Sequence, residues 1–390
     1  MIIPKLAFQN ILGAGLRTWL NVIVLSFVYV TIIGLNGIYG GMQEQAVQAQ
    51  IDVEYGGGQF WQQQYDPYDP FSFQDAHGLL PQRLQNWIGQ GTAIPILMTQ
   101  ATIYPNGRIR TILLKGIDPE QTILNIPSHF LNEEGDMTPA LIGSRMAKST
   151  GLNLGDYVTV RLRDKNGTFD AQDVEIVQIM NTSVQTVDNN QIWIPLNDLQ
   201  EMTQMQGEAT IVVVDRDFQN RESIEGWPFQ SLDVLLKDLM DMVKSKTIGG
   251  SIVYIVLLML AVLAIFDTQV LSIFKRRKEM GTLMALGMTR FKVIQLFTLE
   301  GAVHGVLAVL VAAIYGVPLL VYLATRGFPL PASADSYGFA IGERLFPIYS
   351  AQLVFGTIVL VMVITTIVSY LPTRKISKLK PTDALKGKLT

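Results

Sequence analysis

Four stretches are almost free of charge and long enough to cross a bilayer: residues 19–40, 248–274, 293–325 and 352–371. Each supplies the roughly 20 apolar residues that about 30 Å of hydrocarbon requires of a helix. Between the first two lie residues 41–247, where the pattern changes. Residues 157–163 and 173–179 alternate apolar and polar around Asn166-Gly167, which predicts a hairpin of half-buried strands. Residues 192–194 and 211–214 read as further strands, residues 139–152 as a helix. Residues 55–70 are aromatic, glycine-rich and broken by proline, and read as a loop or linker. The polar stretch after Gly41 prolongs the first helix outward, and Leu232, Leu235, Leu236, Leu239 and Val243 recur at helical spacing ahead of the second. Two such stalks would couple the domain's motion to spans 1 and 2.

The expected fold class is therefore an α-helical membrane protein with four transmembrane helices and a mixed α/β domain inserted between helices 1 and 2. The segments are an amphipathic interfacial helix at 1–18, spans at 19–40, 248–274, 293–325 and 352–371, and the domain with its stalks at 41–247. A cytoplasmic segment at 275–292, a loop at 326–351 and a tail at 372–390 complete the order.

Composition sharpens this picture. The chain has 390 residues, of which 49% are hydrophobic and 16% charged, against about 25% charged in a soluble domain. The first apolar run exceeds the roughly 7–15 residues of a signal-peptide core and lacks a well-placed cleavage site, so an uncleaved span is expected. Positive charge collects at 1–18, 275–292 and 372–390, with 14 Lys/Arg against the acids Glu279 and Asp383. The domain at 41–247 carries 14 Lys/Arg against 27 Asp/Glu. Positive residues stay inside, so both termini are expected in the cytoplasm and the acidic domain outside. There is no cysteine, hence no disulfide.

Enzyme chemistry finds little support. No G-x-x-x-x-G-K-[ST] loop and no G-x-S-x-G elbow occurs. The three histidines, His77, His129 and His304, lie far apart without metal-ligand spacing. The expectation is a non-catalytic subunit with no metal, no cofactor and no nucleic-acid partner.

The basic segment between the second and third runs carries the strongest signal. From Lys275 to Gly301 it reads KRRKEMGTLMALGMTRFKVIQLFTLEG. Glu279, Met280, Gly281, Leu283, Ala285, Leu286 and Gly287, then Glu300-Gly301, resemble the motif of the FtsX/MacB-type (type VII) permeases of ABC transporters. The domain is similar, more narrowly, to the lipoprotein-releasing LolC/LolE branch. That likeness rests on Gly116-Ile117-Asp118-Pro119, Ile142-Gly143, the stretch Gly151 to Asp156, and Ile192 to Leu196. The resemblance implies a cytoplasmic ABC ATPase dimer, a second permease subunit, same or different, and membrane lipids as partners. It also implies a lipoprotein cargo and a periplasmic carrier or adaptor. The long carrier-docking hairpin of LolC corresponds to a short turn here, residues 163–172, without its prolines, which leaves docking of a carrier on this chain open.

Residue roles follow. Met280, Leu283, Met284 and Leu286 can form an apolar stripe for a groove on the motor, with Arg276, Arg277, Lys278 and Arg290 meeting acidic rims. The competing reading is a basic loop held at anionic headgroups. Glu279 and Glu300 are candidates to pair with nearby Arg or Lys and fix the loop to span 3; alternatively they are interfacial acids. Asp267 sits inside span 2, where a lone charge costs about 2.5–3.5 kcal/mol, which favours a structural pair over proton coupling. Each buried acyl CH₂ holds a lipoprotein by about 0.8 kcal/mol, so extraction calls for an apolar cleft that opens sideways. Its candidate lining is Ile32, Ile33, Leu35, Ile38, Tyr39 and Met42 of span 1 with Ile252, Ile255, Val256 and Met259 of span 2. The rival readings are efflux of an amphipathic drug or peptide, as in MacB, and relay of a signal to a cell-wall hydrolase, as in FtsX.

Overall fold

The computed structural model describes residues 16–133, 135, 137–329 and 344–376. It divides into two compact units, one built on residues 43–242 and one on the long apolar helices. The interfacial helix expected at 1–18 falls outside the described residues except for its end, as does most of the tail after 376.

Among the described residues, four helices are long and apolar enough to cross a membrane. They belong to α1 (Leu16–Gln50), α6 (Lys237–Lys275), α8 (Arg290–Arg326) and α9 (Ala351–Ile376). Within their unit, Val22, Leu25, Tyr29 and Ile32 of α1 pack with Ala308 and Ala312 of α8 and Val361 and Val368 of α9. The seam is of the membrane kind, with small residues letting backbones approach: a side chain at Gly316 would meet Val30 at 2.5 Å. Leu258 and Val262 of α6 touch the same cluster, but most of that helix turns its apolar side chains outward. Both α1 and α6 run well beyond their apolar stretches into the polar sequence that adjoins them. For α1 this continues through a π-helical turn, Ile51–Tyr55.

The second unit is mixed α/β. Its strands are β1 (Gln59–Trp61), β2 (Gly78–Leu79), β3 (Ala93–Ile103), β4 (Arg110–Ile117), β5 (Thr138–Gly143), β6 (Tyr157–Arg163), β7 (Phe169–Met180), β8 (Gln191–Pro195), β9 (Glu208–Ala209), β10 (Ile211–Val214) and β11 (Phe229–Gln230). Helices α2 (Gln82–Gly89), α3 (Ser144–Thr150), α4 (Gln185–Asn190) and α5 (Leu196–Thr203) lie between them. Nine strands form one sheet in the order β11-β1-β10-β3-β4-β8-β5-β7-β6, and β6 pairs back onto β3 through Thr102–Arg161 and Ile103–Val160. Strands β3, β4, β8, β5, β7 and β6 thus close into a barrel, from which β10, β1 and β11 extend along the first half of β3.

The burial pattern explains the closure. Strand β6 alternates exposed and buried as its sequence predicts, with Val158, Val160 and Leu162 inside. Strand β8 is buried on both faces: Ile192 and Ile194 fill the barrel, whereas Trp193 faces a second core with Leu141, Ile211 and Val53. The hairpin around Asn166-Gly167 forms, its turn held by Asp164 Oδ1, which accepts from the amides of Asn166 and Thr168 at 2.9 and 2.7 Å.

Two sequence expectations need correction. Residues 139–152 are not one helix: residues 138–143 are strand β5, and helix begins at Ser144. Ala140, Leu141 and Ile142 are all buried between β7 and β8, and this tertiary pairing overrides their helix propensity. The aromatic stretch at 55–70 is not all loop, because Gln59–Trp61 pairs with both β10 and β11. Phe60, fully buried among Trp87, Phe218 and Phe229, supplies the reason.

Candidate functional site

The segment between the second and third long helices is a built turn. Helix α6 ends at Lys275, α7 (Arg277–Ala285) makes two turns, and α8 starts at Arg290. Gly287 ends α7 in the left-handed region at φ 95°, which favours glycine, and its amide bonds Met284 O at 3.1 Å. Thr289 caps α8 by accepting from the Lys292 amide.

Arg276 locks this turn. Its Nε donates to Glu279 Oε2 at 2.7 Å and its Nη1 to Glu300 Oε2 at 2.7 Å, while its guanidinium stacks 4.9 Å from the Phe297 ring. Glu300 is 6% exposed, so the bond that reaches α8 is largely shielded from water. Burial pulls the Arg276 guanidinium down, but Glu300 and Glu279 outweigh it and raise it above its ordinary value. Glu300 also presents its backbone carbonyl to His304 Nδ1 at 2.7 Å, so that histidine is a packed polar residue of α8.

The apolar stripe divides. Met280 is 2% exposed and packs with Val293, Leu296 and Phe297, and Leu283 and Met284 lean on the same cluster. Only Leu286 of the four stands open, at 80%. Five residues on, Phe291 is 67% exposed, a residue that the motif-based reading passes over. The surface offered outward is thus Leu286 and Phe291 with the exposed Lys278, Arg290 and Lys292. Three stripe residues turn inward because a two-turn helix with an apolar face buries it against the nearest helix first.

The other sequence candidates separate. On α1, Ile32 and Ile33 are buried in the helix bundle, and Leu35, Ile38, Tyr39 and Met42 are half-buried. On α6, Ile252, Ile255, Val256 and Met259 are all exposed. Tyr39 of α1 lies against Gly250 of α6, two residues before Ile252. Asp267 is exposed, and among the described residues it has no ion-pair partner. Neither does any group of His, Asp and Glu among the described residues suit a metal ion.

Two glycines of the β-domain motif, Gly116 and Gly143, are packing residues, whereas Leu154 of the same motif is 62% exposed. Gly116 on β4 lets α5 approach: a side chain would meet Leu199 Cβ at 3.0 Å and Leu196 Cα at 3.1 Å. Gly143 lies against Asp188, whose backbone and carboxylate would meet a Cβ at 2.2–2.3 Å. Asp188, almost fully buried, accepts from the Arg145 amide at 3.2 Å and from its guanidinium at 3.0 Å. Burial pushes the Asp188 carboxyl up despite Arg145 and Ser144.

Membrane-length helices, a barrel-bearing domain and a latched basic turn after the second long helix define the class, a membrane permease. Residues 18–227 match the MacB-like periplasmic core domain, and residues 251–381 match the FtsX-like permease C-terminal domain. The chain belongs to this FtsX/MacB-type family of ABC transporter permeases, whose members are non-catalytic transmembrane components that work as dimers with an ATPase. No curated protein matches the chain. Among solved structures it is similar to the extracellular domain of the noncanonic ABC-type transporter YknZ from Gram-positive bacteria. There the identity is 14%, over 45% of this chain and 99% of that one, with a TM-score of 0.28.

Proposed function

We propose that this permease hands the motion of a cytoplasmic ATPase dimer to a domain on the far side of the inner membrane, and that its work is to extract lipoproteins. In this reading both termini are cytoplasmic, the acidic β domain is periplasmic and inserted between spans 1 and 2, and two permease subunits pair over two motors. The observation that carries it is the Arg276 latch. A turn bonded through a shielded carboxylate to α8 moves with that helix, and Leu286 and Phe291 with their basic flanks give a motor something to hold.

The LolC/LolE likeness of the domain supports lipoproteins as cargo. The compact turn between β6 and β7 argues that a carrier does not dock through a long hairpin of this chain, and favours a LolE-like place beside a second permease. The open face of α6 suits either that subunit or the acyl chains. Depletion in the native host tests the reading. Lipoproteins should accumulate in the inner membrane; unchanged sorting overturns extraction and leaves MacB-like efflux or FtsX-like signalling.

A further inference from the structure

The end of α1 enters the β domain through an ion pair that the motif does not include, between a buried lysine and a carboxylate that is 17% exposed. The π-turn after α1 carries Glu54, and β4 carries Lys115, whose side chain is 3% exposed. Lys115 Nζ donates to Glu54 Oε1 at 3.0 Å and lies 4.8 Å from the centre of the Trp193 ring. Gln191 Nε2 donates to the same carboxylate at 3.3 Å. The bonds continue around the turn. Asn125 N donates to Asp52 O at 2.7 Å, Gln59 Nε2 to Glu54 O at 2.8 Å, and Gly57 N to Val214 O at 2.7 Å, and Asp52 pairs with Arg216.

A buried ion pair is a poor way to gain stability, because apolar residues of similar volume usually do as well or better. Directional bonds do what apolar contact cannot: they resist sliding and rotation. Here the bonds of one helical turn reach β4, β8, β10 and the loop before β5. Nearby, Gln191 Oε1 and Trp193 Nε1 are buried without a partner, so the pair sits in a polar pocket within an apolar core. π-Turns are frequent at functional sites.

We propose that Glu54 and Lys115 are positioning residues forming the rigid joint that delivers movement of α1 to the barrel. The inference rests on the force-transmission reading, but the joint is measurable without a motor. The chain has no cysteine, so spin labels at Gln48→Cys and Tyr157→Cys report on the joint alone. In the full chain in lipid nanodiscs, the distance distribution between them should be narrow. In Glu54→Leu/Lys115→Met it should widen at least twofold while the melting temperature holds or rises, a split that a purely stabilising role does not give. An unchanged width, or a wild-type distribution already broad, overturns the joint. If the double variant fails to fold, hydrogen exchange of the wild type decides. Amides 51–58 should exchange with those of β4 and β8 and at least tenfold more slowly than 43–48; exchange with 43–48 overturns it. A narrow distribution across the joint, combined with a distance between Tyr157→Cys and Ile314→Cys on the exposed side of α8 that ignores ATP once the motor is added, would leave the joint standing and sink force transmission instead.

Discussion

Two places in this permease solve the same problem with the same parts. At the turn between α6 and α8, Arg276 lies on the Phe297 ring and pairs with carboxylates; at the end of α1, Lys115 lies on the Trp193 ring and pairs with Glu54. The difference is in valence and water. Arg276 forks between a shielded acid, Glu300, and an exposed one, Glu279, so one bond can be exchanged while the other holds. Lys115 offers a single point charge, its side chain 3% exposed, and among the described residues meets one carboxylate, that of Glu54. The first arrangement suits a contact that a partner engages and releases, the second a contact that stays made.

Substitutions can break this contrast. The largest effect should come from Glu54→Ala, which strands the buried Lys115: about 3–5 kcal/mol less stable, read by denaturation of the purified permease. Next is Glu300→Ala, expected to cost about 2–3 kcal/mol, below the usual loss for a broken buried pair because Arg276 keeps Glu279 and is a quarter exposed. Loss larger than for Glu54→Ala would reverse the proposed ranking of the two sites. Removing the exposed partner, Glu279→Ala, should cost under about 1 kcal/mol. Leu286→Asp should alter stability by no more than about 0.5 kcal/mol and yet abolish transport-linked ATP hydrolysis in the assembled transporter; normal coupling would show that the motor grips elsewhere.

The sequence discloses some of these parts better than others. Long charge-free runs are legible because hydrocarbon imposes a length, and β6 and β7 because one face of each is wet. Strand β5 is hidden: Ala140, Leu141 and Ile142 are buried on both sides, so the two-residue period disappears and only partners distant in sequence reveal a strand. The surface proposed to face the motor is half legible. Composition marks 275–292 as an amphipathic, basic helix, but which apolar residues turn inward depends on Val293, Leu296 and Phe297 one helix later. Lys115 does leave a trace, as a charge set among the apolar residues of β4, whose other charge, Arg110, only opens the strand. Its partner lies 61 positions away, which no local pattern discloses.

The return pairing of β6 onto β3 leaves that ring of strands without a free margin. An open sheet answers a load by fraying from its outermost strand; a ring has none to give up. Pulled at one strand, it tips as a piece, like a capstan turned by one spoke. Where this domain must change shape, the loops between strands must supply it, since the hoop beneath them has no slack to lend.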